Sequence, residues 1–561
     1  VALTTTSILD QELFLLALIL ISNLFIRSNN KKMKTNIYKI VLATAVSVVV
    51  MASCSKSLDL LPTNDVTSTT VYSTATGYKQ AFAKVYASFA LTGNAGPAGN
   101  GDIQGLDEGT ADFLRLYWKA QELSTDEAVV SWGDPGIQDF HNMNWSASNP
   151  MLTGLYYRSF YQITLANDFI RQASDANLAS RGIAADDVAA IKKFKTEARF
   201  LRAYQYTVLM DLFGNVPFIT DADALGSVLP KQKTRTELFN YIESELKAIE
   251  PDLVDARKNE YGRADKAAAW ALLARIYLNA QVYTGTARYT DAVTYSKKVI
   301  DAGYSLISDY TKLMRADNYN NTSEFILTIN FDGMKTQNWG GTTFLTHAPI
   351  GGSMVASTFG VDGGWGGLRT TKAFSDKFAD ITGATDKRAQ IYTAGQSADI
   401  SDLTKFTDGY AVTKFKNIKA DGTAGSSLTF ADIDFPIFRL GEMYLVYAES
   451  VLRGGTGGDA TTALGYVNAL RQRAYGNTSG NITSGQLTTD FILDERSREL
   501  YWEGFRRSDL IRYGKFTEST YLWPWKGGVK SGSGVDAFRK LYPIPSADIS
   551  SNPNLVQNTG Y

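Results

Sequence analysis

Residues 187–213 read DVAAIKKFKTEARFLRAYQYTVLMDLF, and within them Val188, Ile191, Phe194, Ala198, Leu201, Tyr204, Val208 and Leu212 recur at steps of three or four. That spacing puts them on one face of an α-helix, the face that turns to a core. Gly214 follows, with Pro217 behind it, which is the chemistry that ends a helix. A second helix opens with a Thr234-x-x-Glu237 capping box, carries Leu238, Ile242, Leu246 and Ile249, and stops before Pro251. The third starts at Gly262-Arg263-Ala264 and is rich in alanine around Trp270 and Tyr277, so a neighbour can approach closely. The fourth shows Tyr289, Ala292, Ser296 and Val299 on one side. Asp187 to Ile300 is thus predicted to form two antiparallel helical hairpins. Ala274, Tyr277 and Ala292 follow the small and large order of tetratricopeptide hairpins, with a longer loop at Tyr283 to Arg288. Such pairs cannot bury their faces alone and must stack.

The rest of the chain is arranged around these pairs. Helical spacing is also present at Gly77 to Ala90 and Leu155 to Ala173, and returns at Leu440 to Leu452, Ala463 to Ala474 and Ile492 to Glu503. Between the two groups lie a β-like run, Phe325 to Ile329, and glycine-rich loops holding tryptophan: Asn338-Trp339-Gly340-Gly341 and Gly363-Gly364-Trp365-Gly366-Gly367. The expected class is mostly α: a tetratricopeptide-like scaffold over about 155–304 and 436–515. It supports an irregular, loop-rich module with minor β over about 305–435, to which 105–140 contributes.

With 561 residues, 44% of them hydrophobic and 12% aromatic, the chain is globular and large. Its net charge of −1 gives no electrostatic case for nucleic acid, while 30 Tyr and 28 Phe supply rings for cores and binding faces. The N-terminus is not read as fold. Met33-Lys34 and Lys39 precede the apolar run Ile40 to Ala52, which ends in Met51-Ala52-Ser53-Cys54. Residues 33–53 therefore form a lipoprotein signal, with cleavage before Cys54 and a lipid on its thiol. Residues 1–32 read as translation upstream of a mis-set start, 54–65 as a leash, and 66–561 as the folded body. Cys54 is the one cysteine, so it has no disulfide partner.

Other chemistry is sparse. Asp494, Glu495, Glu499 and Glu503 are interleaved with Arg496, Arg498, Arg506 and Arg507, which reads as helix ion pairs rather than as catalytic carboxylates. His141 and His347 are too isolated for a metal site. Gly454 to Gly458 lacks the Lys-Ser/Thr of a phosphate loop. No catalytic residue, metal or cofactor is expected.

Several stretches carry a family pattern: Glu197 to Ala203 running into Phe213-Gly214-Asn215-Val216-Pro217; Gly262 to Ala268; Phe438 to Leu445; Glu499 to Leu510; and Tyr542-Pro543-Ile544-Pro545. In order and spacing they resemble the SusD/RagB family of outer-membrane lipoproteins, from Cys54 to Tyr561. Phe331 to Thr336, Tyr521 to Gly528 and Asp107-Glu108-Gly109 resemble its starch-binding member in particular. The resemblance implies a non-catalytic protein, lipid-anchored and exposed on the outer membrane. It would capture starch or malto-oligosaccharide beside a SusC-like TonB-dependent transporter. It also implies an arc of sugar-stacking rings at Trp132, Trp339 and Trp365, with Arg115 and Asp107 bonding hydroxyls. Val130 and Pro135 depart from the pattern, where that member has a further tryptophan and an asparagine; Asp134 or Gln138 stand by as replacements. Trp118, Trp145, Trp270, Trp502, Trp523 and Trp525 are expected to be structural. Three alternatives stay open: another glycan, a peptide, or a glycoside hydrolase on a helical scaffold.

Overall fold

The computed structural model describes residues 68–107, 109–223, 226 and 229–561. The leader, Cys54, the leash and Glu108 lie outside the described residues. The chain divides into Val1–Val71, described only over a one-turn helix at Ser68–Val71, and Tyr72–Tyr561.

The longer helices of the second unit are α1 (Ala75–Ala90), α2 (Phe113–Glu122), α3 (Pro150–Gln172), α4 (Ala185–Leu212), α5 (Arg235–Ile249), α6 (Lys266–Leu278), α7 (Tyr289–Asp301), α8 (Gly341–His347), α9 (Leu440–Leu452), α10 (Ala460–Tyr475), α11 (Thr489–Leu500) and α12 (Arg506–Arg512). The two expected pairs are present: α4 lies on α5, and α6 on α7. The stack then runs on, with α3 against α4, α7 against α9, and α9 against α10 and α11.

Three local readings change. Along α4 one apolar face was expected, yet every residue from Phe200 to Leu212 is buried. Helices α1, α3, α5 and α6 enclose it, and two of its charged residues are bonded internally: Arg202 reaches Asn167, Asp221 and Glu245, while Glu197 takes Arg263 and Tyr86. Helix α6 opens at Lys266 rather than Gly262, because the Asp265 side chain caps it by accepting from Ala268 N at 3.1 Å. Helix α11 ends at Leu500, since Trp502 and Gly504 take φ of 62° and 84° and turn the chain into α12. The alanines of α6 are fully buried, as close packing requires, and a short helix, Ala280–Thr284, fills the longer loop before α7.

The module between α7 and α9 is irregular, with β structure in two-residue to five-residue pieces. Four pieces matter here: β1 (Val129–Val130), β2 (Phe325–Ile329), β3 (Leu368–Arg369) and β4 (Phe435–Arg439). Antiparallel pairing joins β1 to β3 and β2 to β4, the latter with irregular register between Pro436 and Arg439. The acids of α11 are held by tertiary ion pairs. Arg439 at the end of β4 contacts Glu324, Glu499 and Glu503, Arg473 of α10 contacts Glu324 and Glu499, and Arg388 contacts Asp386 and Glu495. Trp118, Trp145, Trp502 and Trp523 are buried, while Trp270 and Trp525 are half-buried with their ring N–H groups bonded to Glu250 and to Ile400 O.

Candidate functional site

The site is built on the first turn of α2. Asp112 caps that helix, accepting from Arg115 N, and also accepts from Gly341 N at the start of α8, both at 3.0 Å. One carboxylate therefore fixes α2 against α8. Arg115 then lies over the Phe344 ring, 4.7 Å from its centroid, and its Nη1 donates to Gly109 O at 3.1 Å and Trp339 O at 2.8 Å. Its Nε is buried and makes no hydrogen bond among the described residues. Burial works against its charge, opposed by the fields of Asp112, Asp134 and Asp107.

Trp365 is presented by a loop pinned to the C-terminal end of α8. Trp365 N donates to His347 O, Gly366 N to Ile350 O and Gly367 N to Ala348 O, at 2.9, 2.8 and 2.7 Å. Its ring stacks on the His347 imidazole, with centroids 5.0 Å apart and planes 23° apart. Burial lowers the His347 pKa, against the field of Asp362 and the bond to Gly363 O, which lies 2.7 Å from Nδ1. Trp132, just beyond β1, donates from Nε1 to Trp365 O at 3.1 Å, and Gln138 Nε2 holds the Trp132 carbonyl. Trp339 leans on Phe430 at 4.9 Å.

Three rings from distant parts of the chain thus meet. Trp132 and Trp365 lie 6.3 Å apart and tilted by 45°; Trp365 and Trp339 lie 6.3 Å apart and tilted by 57°. All three are half-buried and line an open depression of about 470 Å³ with Gly109, Thr110, Arg115 and Asp134. Such a surface offers carbon-rich faces that turn in steps, with one cation behind them and one carboxylate at the edge.

Of the five residues named from the sequence, Arg115, Trp132, Trp339 and Trp365 line the depression and Asp107 does not. Asp107 is exposed nearby, on the segment that runs into Gly109. Asp134, named as a stand-in, lines it, whereas Gln138 acts behind Trp132. Val130 is fully buried in β1 and Pro135 is exposed, so neither adds a ring or an amide to the arc. The glycines beside the tryptophans are required by close approach of the backbone. A Cβ on Gly340 would lie 1.4 Å from Asp112 Oδ2, on Gly364 2.2 Å from Ile350 O, and on Gly367 2.2 Å from the Trp132 ring. They let the loop backbone sit against the floor that orients the rings.

At the far end of α2, Glu122 and Glu127 face each other in the interior. Glu122 accepts from Gly504 N, and Glu127 from Ser497 Oγ and Trp502 N. Burial, and then the neighbouring carboxyl, raise Glu122; burial also pushes Glu127 up to about 7 despite Arg506. Folded values above the unfolded ones mean that this stability is complete below the ordinary carboxylate range and is lost as pH rises through about 7. Melting temperatures of the parent should therefore fall between about pH 5 and pH 8, and Glu127→Gln should flatten that fall. Parallel curves for the two proteins would show that the pair shares no proton.

Two family models match: "SusD family" over residues 379–561, and "Starch-binding associating with outer membrane" over 120–278. The starch-binding protein SusD of Bacteroides thetaiotaomicron is 36% identical, covering 94% of this chain and 100% of its own. SusD-like protein P2 of Formosa agariphila is 26% identical over 76% of this chain and 85% of its own. Among solved structures, surface glycan-binding protein A from Bacteroides thetaiotaomicron in complex with laminarihexaose has a TM-score of 0.65 at 22% identity, covering 86% of this chain and 99% of that one. A SusD homolog from the same organism has a TM-score of 0.70 at 19% identity, over 88% and 99%. These structures share the mostly helical fold. The relatives are named for binding and not for catalysis.

Proposed function

The chain belongs to the SusD family, and on that premise we propose that it captures starch and malto-oligosaccharides for a SusC-like TonB-dependent outer-membrane transporter. It is a surface glycan-binding protein of the SusD type and not an enzyme. One observation carries the choice of ligand: Trp132, Trp365 and Trp339 are set side by side, each tilted from the next, in one open depression. Sugar C–H faces stack on indole, and a ligand that curves along its length meets tilted rings in turn where a straight one would leave them. Arg115 supplies charged N–H groups and Asp134 an acceptor for hydroxyls at the ring edges. Asp134 is the one carboxylate lining the depression among the described residues, whereas glycoside hydrolysis requires two.

Calorimetric titration tests the ligand. Maltoheptaose should bind saturably and laminarihexaose at least about tenfold more weakly, a difference of roughly 1.4 kcal/mol. The reverse order would assign the site to another glycan.

Attachment to the membrane is proposed to run through a lipid on Cys54, on the strength of the small residues before it. No described helix is long and apolar enough to cross a membrane. Cys54→Ala should leave the protein unlipidated and out of the outer-membrane fraction; a variant that still fractionates there would remove the anchor from the reading.

A further inference from the structure

In the irregular module Arg315 and Lys416 face each other across a single parallel bridge, with Lys416 N donating to Met314 O at 3.1 Å. Each cation is half-buried and flanked by buried residues, Met314 and Ala316 on one segment, Phe415 and Asn417 on the other. Strand alternation therefore turns both cations to the same outer face. Neither lines the aromatic depression.

The surroundings hold the pair in place without neutralising it. Gly360, at φ 76°, ends the turn Ala356–Phe359, and a Cβ there would lie 2.0 Å from Asn417 O. With that close approach Asn417 N donates to Phe359 O at 3.0 Å, and the buried Phe359 ring comes under the Lys416 ammonium, 5.8 Å away at its centroid. Arg315 Nε donates to Thr311 O at 2.8 Å, which anchors the guanidinium by one N–H. Its two Nη groups and Lys416 Nζ make no hydrogen bond or ion pair among the described residues.

Burial works against both charges. At Arg315 it is opposed by the fields of Asp309 and Asp317, whose carboxylates already accept from Thr311 and from Ala420 N. At Lys416 burial pushes the amine down, and the neighbouring charge that acts on it, Arg315, pushes the same way, to about 8. Two like charges side by side and partly out of water cost free energy, and an anion shared between them would offset it. The donors describe that anion. A guanidinium offers coplanar N–H groups that match two oxygens of one oxyanion, and an ammonium beside it reaches a third, where a carboxylate has only two.

We propose that Arg315 and Lys416 form a binding site for a phosphate group, taken either as the free ion or on the headgroup of a membrane lipid. The Nη groups of Arg315 bond two of its oxygens and Lys416 Nζ a third, while Phe359 backs the ammonium.

The probe is inorganic phosphate, titrated by calorimetry into the whole protein with the ionic strength held constant by chloride. Saturable binding in the millimolar range is expected, and Arg315→Gln and Lys416→Met should each weaken it about tenfold or more. In chloride alone Lys416→Met should melt no lower than the parent, because it removes one of two adjacent like charges, so its lost binding is not lost fold. Vesicles distinguish the sources. Phosphatidylglycerol vesicles that bind the parent better than either variant would assign the phosphate to a lipid; vesicle binding equal in all three proteins, with phosphate binding still lost in the variants, would assign it to the free ion. No saturable binding of phosphate, or binding equal in the parent and both variants, would overturn the proposal.

Discussion

Replacing Trp365 by alanine should weaken maltoheptaose binding about thirtyfold, because a central stacking ring behaves as a hot spot worth roughly 2 kcal/mol or more. Trp365 is the middle ring of the three, 6.3 Å from both Trp132 and Trp339, so its loss leaves two rings with a gap between them. The Trp365 carbonyl still accepts from Trp132, and its N–H still donates to His347 O, so the loop keeps its path. Folding should not be indifferent, however. The ring is half-buried over His347 and lies 5.8 Å from the Arg115 guanidinium. A stability loss of about 1–2 kcal/mol is expected, less than the roughly 3–5 kcal/mol for a fully buried tryptophan. Trp339→Ala should behave in the same way at one end of the arc. Titration and thermal melts on both variants separate a binding surface from a core: full affinity with intact folding would place the ligand elsewhere.

How far the sequence reveals this site depends on the residue. The three tryptophans are named from the sequence because the chain carries the family's pattern around them, and the structure brings them into one depression. What joins them is not legible. Asp112, which caps Arg115 N, also holds Gly341 N across 229 positions, and the Trp132 indole reaches the Trp365 carbonyl across 233. No spacing rule announces such contacts. Asp107 and Asp134 show the limit more sharply, since both are loop acids near Arg115 in sequence and only the course of the backbone places Asp134 at the depression. For the glycines, sequence shows that a tryptophan is glycine-flanked but not that Asp112, Ile350 and Trp132 press against that backbone.

The helices follow the same division. Periodicity locates α4 and α5 because each has an apolar face, and the Thr234 capping box forms as written. It misses that the far half of α4 is enclosed on every side, because Arg202, Glu197 and Asp211 look like a solvent face until their partners are known. The acids of α11 mislead in the same sense. Glu495 and Arg498 do pair along the helix, as their spacing suggests, yet Glu495 and Glu499 also pair with Arg388 and Arg439, far away in sequence.

Arg439 is where that difference should be felt most in stability. Its guanidinium sits 2.6 Å from Glu499, 2.7 Å from Glu503 and 3.1 Å from Glu324, with every one of these side chains at 1% exposure or less. Burial pushes Glu499 up, but Arg473, Arg439 and Arg388 outweigh it and bring it down to about 2. Glu503 is likewise lowered, by Arg439 and Lys414 against burial. Arg439→Met keeps much of the volume and removes the charge, leaving three buried carboxylates with fewer cations. A loss of about 3–5 kcal/mol is expected, the cost of breaking a buried pair from one side. The pH dependence supplies a second readout. A depressed carboxylate contributes stability above its unfolded value and loses it as pH falls through the folded one. With Arg439 gone the depression is smaller, so the acid transition should move to higher pH. Lys372→Met is the control, because its ion pair with Asp376 is more than half exposed on both sides and such pairs contribute about 1 kcal/mol or less. If Arg439→Met melted no lower than Lys372→Met, the cluster would stabilise the fold no more than a surface pair does. The joint between β4 and α11 would then rest on apolar packing alone.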